Sequence, residues 1–151
     1  MSPKTRLAVL GTLLALGAVL SGCASGGASP TPQDLEGSWV LTSAADADGS
    51  IELGEAEVTL DLASGPGGNA LAVSGSAACN SYNGAMTVEG DSVTLGPLST
   101  TLMACEEELM EVESSYLAAL EGVTAAEVDD DTLTLSGDDS ELVYSRASDD
   151  E

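Results

Sequence analysis

From Trp39 to Tyr144 the chain is built of short stretches in which apolar and polar residues alternate, separated by Gly, Asp, Asn and Pro. A period of two belongs to a strand with one buried face, so it commits most of this chain to antiparallel sheet. In residues 56–62, Val58, Leu60 and Leu62 share one face and Thr59 and Asp61 the other, before Gly65-Pro66-Gly67-Gly68-Asn69 breaks the run. Residues 38–43 and 70–76 read as further strands. Asn83-Gly84, where both positions tolerate positive φ, predicts a type I′ turn joining the segment 79–82 to 85–88. Glu89-Gly90-Asp91 turns the chain into residues 92–95. Residues 132–135 and 141–144 flank Ser136-Gly137-Asp138-Asp139 as a closing hairpin.

The period changes once. Between Glu106 and Leu120, the apolar residues Leu109, Val112, Tyr116 and Leu120 fall at helical spacing with Leu117 alongside, the pattern of an amphipathic helix. Glu106, Glu107 and Glu108 complement the dipole at its start, and Gly122 lies where it should stop. The expected fold class is therefore α+β, a mostly antiparallel β-sheet packed with a single amphipathic helix.

The N-terminus reads as an export signal. Met1 to Arg6 carries two cations, residues 7–20 form an apolar run, and Leu20-Ser21-Gly22-Cys23 ends it in small residues, which is signal-peptide grammar. The run of 14 residues falls short of the roughly 20 needed to cross a bilayer as a helix; a retained transmembrane helix is the competing reading. The tetrapeptide resembles a bacterial lipobox, in which Cys23 receives a diacylglycerol and becomes the first residue; a plain secreted protein with a coincidental cysteine is the alternative. The expected organisation is a lipoprotein signal peptide over 1–22, a lipidated Cys23 with a Gly/Ser/Pro-rich linker to 33, one domain over 34–147 and an acidic tail over 148–151. The partner of the anchor is the membrane, reached through the lipid on Cys23, at the extracytoplasmic face.

Past residue 22 the chain holds 26 acidic residues against the single cation Arg146, a net charge of −25. Nucleic acid is excluded as a partner, because phosphate neutralisation needs clustered Lys and Arg. Phe is absent and Trp39 is the only tryptophan, so the core is modest and a covalent staple would help it. Three cysteines would leave one unpaired in an exported protein. Lipidation of Cys23 removes that oddity and leaves Cys79 and Cys105 as the pair available for a disulfide, worth roughly 3–4 kcal/mol by loop-closure entropy. Two buried free thiols are the alternative.

The cysteines carry a recognisable pattern. Gly75-x-x-x-Cys79-Asn80-Ser81-Tyr82-Asn83-Gly84, followed by Thr101-Leu102-Met103-Ala104-Cys105, resembles the META domain of HslJ-like bacterial lipoproteins. Gly37-Ser38-Trp39-Val40-Leu41 is similar to that family's opening strand, Glu113-x-x-Tyr116-Leu117-x-x-Leu120 to its helix, and residues 133–135 with 142–144 to its closing hairpin. The resemblance marks Asn80, Ser81, Tyr82, Gly84, Thr101 and Met103 as motif residues. It implies a cell-envelope setting, with heat-shock induction and antibiotic tolerance in some members, and no established catalytic activity. The position between Thr101 and Met103 is usually basic in the family and is Leu102 here, so a partner held through that cation would be held differently.

Composition narrows the chemistry. Histidine is absent, which removes Ser-His-Asp and Cys-His machinery, and no lysine follows residue 22, which removes Schiff-base and Ser-Lys mechanisms. Carboxylates could serve a glycosidase, which needs two of them across a cleft, but here they occur in runs such as 106–108 and 129–131, the pattern of solvated surface. Residues 44–55 match an EF-hand loop at five positions, with Asp46, Asp48 and Glu55 as candidate Ca²⁺ ligands, yet Ala44 stands where the loop's first Asp belongs. An Asp-Gly hairpin turn accounts for the same residues. The expectation is a non-enzymatic interaction or envelope-maintenance module without a cofactor, acting on an envelope protein or ligand that the sequence does not name. A divalent-cation or ligand binder and a carboxylate hydrolase follow in that order.

Overall fold

The computed structural model describes residues 29–148. The expected signal peptide, Cys23, residues 24–28 of the expected linker and residues 149–151 lie outside them. The elements in chain order are α1 (Pro32–Leu35), β1 (Gly37–Asp46), β2 (Gly49–Ser50), β3 (Thr59–Ser64), β4 (Ala70–Ser76), β5 (Ser81–Glu89), β6 (Ser92–Leu95), β7 (Ser99–Thr100), α2 (Glu107–Glu121), β8 (Val123–Asp129), β9 (Thr132–Gly137) and β10 (Glu141–Arg146).

The expected sheet packed against a helix is not what forms. Strands run in the order β10-β9-β8-β6-β5-β4-β3-β1, all neighbours antiparallel, and β10 pairs back onto β1 from Trp39↔Arg146 to Ala45↔Glu141. The sheet closes into an eight-stranded barrel, with β2 attached to β1 and β7 to β5. The physical reason is size. A barrel of about eight strands is just wide enough for its own inward side chains to fill it, and closure removes the unpaired edges that an open sheet would leave. Alternation along the strands supplies that filling, with Leu60 and Leu62 from β3, Leu71 and Val73 from β4, Leu133 and Leu135 from β9, and Leu142 and Tyr144 from β10, all buried.

Two bulges shift the phase of this alternation. In β1 the register slips between Leu41 and Ser43, so the inward residues are Trp39, Leu41 and then Ala44, while Thr42 Oγ1 donates to the Val143 carbonyl at 3.0 Å. In β8 the slip falls between Val123 and Ala125; the broken period and weakly apolar alanines hid this strand from sequence reading.

Antiparallel strand directions put α1 at the mouth where β1 begins and α2 at the mouth where it ends. Ser29 and Pro30 lie beside β8 while α1 touches β3, on the opposite wall, so the short helix spans its mouth. There Leu35 is fully buried and its carbonyl accepts the Trp39 indole N–H at 2.9 Å. At the other mouth α2 inserts Val112, Tyr116, Ala119 and Leu120, all buried. Instead of covering a sheet face, the helix plugs the lumen.

Candidate functional site

The expected Asn83-Gly84 turn is absent: both residues lie inside β5, paired with Ser74 and Val73 of β4. The glycine serves close packing instead, since a Cβ at Gly84 would approach Leu98 Cδ2 to 2.7 Å and the Pro97 carbonyl to 3.1 Å. The reversal between β4 and β5 comes earlier, at residues 77–80, where the Ala77 N–H bonds the Asn80 carbonyl at 2.8 Å and Ala78 takes a φ of 85°. This turn presents Cys79 and Asn80 at the α2 mouth.

Asn80 is the one buried amide or charged side chain among the described residues, and every hydrogen-bonding group of its amide is used. Its Oδ1 accepts from the Met103 N–H at 2.6 Å and the Thr101 hydroxyl at 2.8 Å. Its Nδ2 donates to the Met103 carbonyl at 3.2 Å and to Glu113 Oε1 at 2.8 Å. Its backbone N–H meets the other oxygen of Glu113 at 2.5 Å. One side chain thus ties together the β4–β5 turn, the segment ahead of α2 and α2 itself. Burial of so many polar atoms is tolerable only because each is paired.

Alongside runs the disulfide Cys79–Cys105, with Cα atoms 5.9 Å apart. The segment 99–105 lies as a strap across the mouth, held at one end by β7 on β5 (Tyr82↔Thr100, Asn83↔Ser99) and at the other by Cys105. Behind it, Tyr82 donates to the Thr59 carbonyl at 2.7 Å, and its oxygen lies 2.7 Å from the Tyr116 hydroxyl, which lies 3.2 Å from that of Tyr144. Because Tyr82 spends its proton on Thr59, the chain has one direction: Tyr144 donates to Tyr116, and Tyr116 to Tyr82. β5 and β10 stand four strands apart in a ring of eight, so these hydroxyls bridge the barrel across its diameter. Burial raises the pKa of all three phenols well above the usual tyrosine range.

The motif residues therefore converge, but most face inward. Ser81 contributes backbone, its N–H to Thr101 Oγ1 at 3.2 Å and its carbonyl to the Thr101 N–H at 3.0 Å. Met103 is likewise used through its backbone, its side chain 61% exposed beside a 95% exposed Leu102. Glu113 stands in the helix pattern that the family resemblance picks out, but the sequence does not mark it as a site residue. Its signal was position: it adjoins buried Val112 and stands three residues before Tyr116, at the margin of the helix's apolar face.

The candidate Ca²⁺ ligands are not gathered. The Asp48 N–H bonds Asp46 Oδ1 at 2.9 Å, an Asx turn closing the β1–β2 hairpin, and among the described residues no three His, Cys, Asp or Glu side chains converge as metal ligands. Asp46, Asp48 and Glu55 instead form one wall of an open groove of about 780 Å³, with Glu106, Glu108 and Glu111 of the α2 region on the other.

These features, a closed antiparallel barrel with a helix latched into one mouth by a Cys-Asn turn and a strap, define a class of small β-barrel domain. The chain belongs to the META domain family, whose pattern it matches over residues 33–149. A protein from Burkholderia xenovorans, solved by NMR, shares the fold with a TM-score of 0.62 and 24% identity over 97% of this chain and 99% of that one. A second protein solved by NMR gives a TM-score of 0.57 and 21% identity over 78% of this chain and 95% of that one. No curated protein matches this chain.

Proposed function

We propose that this chain is an envelope lipoprotein, anchored by a lipid on Cys23, whose META domain is a non-catalytic interaction or maintenance module. The observation that carries the reading is that the family motif is spent internally. The polar atoms of Asn80 are all paired within the molecule, and Cys79 and Cys105 are bonded to each other. A motif spent on latching a helix preserves a shape, and a preserved shape with an open groove at the same mouth suits recognition. The anchor would join the domain through α1, at the mouth opposite the groove, leaving the groove directed away from the membrane.

Mass spectrometry of the exported protein tests the anchor: a chain beginning at Cys23 and carrying a lipid mass supports it, and an unmodified Cys23 or a retained Met1 refutes it. Affinity capture from the intact envelope tests the interaction role, with a partner retained by the wild-type chain and lost when the latch is removed by Asn80→Ala as the supporting result.

A further inference from the structure

The acidic groove shares no residue with the latch. Its lining gathers like charges from two segments, Asp46, Asp48, Glu52 and Glu55 from the first and Glu106, Glu108 and Glu111 from the second, an arrangement that costs Coulomb energy in the free domain. Nothing in the described chain neutralises it. Arg146, the only cation there, stands at the opposite mouth, 4.2 Å from the Trp39 ring centroid and paired with Asp131 at 3.4 Å. The floor, in contrast, is apolar: Ile51, Leu53 and Leu109 are half-buried and Val112 is buried.

Those two properties together select an occupant. A divalent cation would meet the carboxylates and leave the apolar floor unused, and no three of these acids converge on a point. A second copy of this chain would bring the same negative charge. We propose that the groove docks a cationic, amphipathic peptide segment. Apolar side chains of the segment cover Ile51, Leu53 and Leu109, and its Lys or Arg residues face Asp46, Asp48, Glu108 and Glu111. Apolar anchors in the floor supply the affinity, while the rim charges set approach and orientation. This names the partner class for the interaction role proposed above and rests on that role.

Calorimetric titration of the mature protein tests the proposal with two synthetic peptides, one placing leucine and lysine on opposite faces of a helix, the other with every leucine replaced by serine. The leucine peptide is expected to bind one to one and the serine peptide about tenfold more weakly, near 1.4 kcal/mol. Asp46→Asn with Glu111→Gln should weaken the leucine peptide by about tenfold. Glu127→Gln with Asp129→Asn, the same charge change made on β8, should leave its affinity within about twofold. Equal binding of the two peptides, equal losses in the two variants, or no binding overturns the proposal. So does Ca²⁺ that saturates at one ion per chain and displaces the peptide. Failure here leaves the lipid mass at Cys23 to be judged separately, because the titration does not depend on anchoring.

Discussion

At the scale of the residue, Asn80 concentrates more structure than its size suggests. Its amide fits the Met103 backbone and Glu113 because it offers donors and acceptors at fixed positions, which neither an acid nor an aliphatic can do. Asn80→Ala would leave the Met103 N–H and Glu113 Oε1 without their amide partners, while Glu113 Oε2 keeps the backbone N–H of residue 80, and stranded buried groups cost about 1–3 kcal/mol each. A loss of about 2–4 kcal/mol is expected, read as a lower denaturant midpoint at unchanged slope. Asn80→Asp should lose a similar amount, since its second oxygen would face Glu113; wild-type stability in either variant would show that the latch does not hold the helix. The motif made Asn80 legible in the sequence. Glu113 was hidden because a carboxylate on an amphipathic helix ordinarily faces water, and only the turn folded beside it reverses that rule.

At the scale of the element, α2 was legible because its apolar spacing spans four turns; β8 was not, because a bulge and two alanines erase the period that marks a strand. The Asn83-Gly84 hairpin failed for a different reason. Glycine is required at position 84 by Pro97 and Leu98 packed against it, a contact between separate segments that mimics a local turn signal. Beyond the pairing of β7 with β5, the strap over 99–105 is held by the Asn80 bonds and by Cys79–Cys105. Cys79→Ser, Cys105→Ser and the double variant are expected to lose the same roughly 3–4 kcal/mol and to remain folded, because the Asn80 bonds persist. Hydrogen exchange should accelerate over residues 99–106 first. Unequal losses among the three variants would show that a thiol has a separate role.

At the scale of the whole molecule, the alternating strands were visible but closure was not, since the pairing of β10 with β1 joins residues about a hundred apart and leaves no mark on either strand. Closure also sets the alkaline behaviour. The three buried phenols, with pKa values raised above the unfolded value near 10, stay protonated in the native state while unfolded tyrosines lose their protons. Unfolding therefore releases protons above about pH 10, and the stability fully present below that pH falls as pH rises. Phenolate absorbance should appear in one step coincident with unfolding; gradual titration of native protein near pH 10 would contradict the buried hydroxyl chain. With 26 acidic residues against three basic ones, thermal stability should rise with salt as screening shortens to about 10 Å at 0.1 M, and flat melts would mean the acids are too dispersed to matter.

The two plugged mouths also give the molecule an optical label at each end. The chain has one tryptophan, three tyrosines and no phenylalanine. Trp39 sits in the mouth that α1 spans and the tyrosines meet at the one α2 fills. Indole fluorescence and near-ultraviolet tyrosine dichroism thus follow opposite poles of the same barrel without any introduced dye. Curves that superimpose in denaturant mean the poles open as one cooperative unit. Reduction of Cys79–Cys105 should disturb the tyrosine dichroism first, and the indole emission only when the barrel itself comes apart.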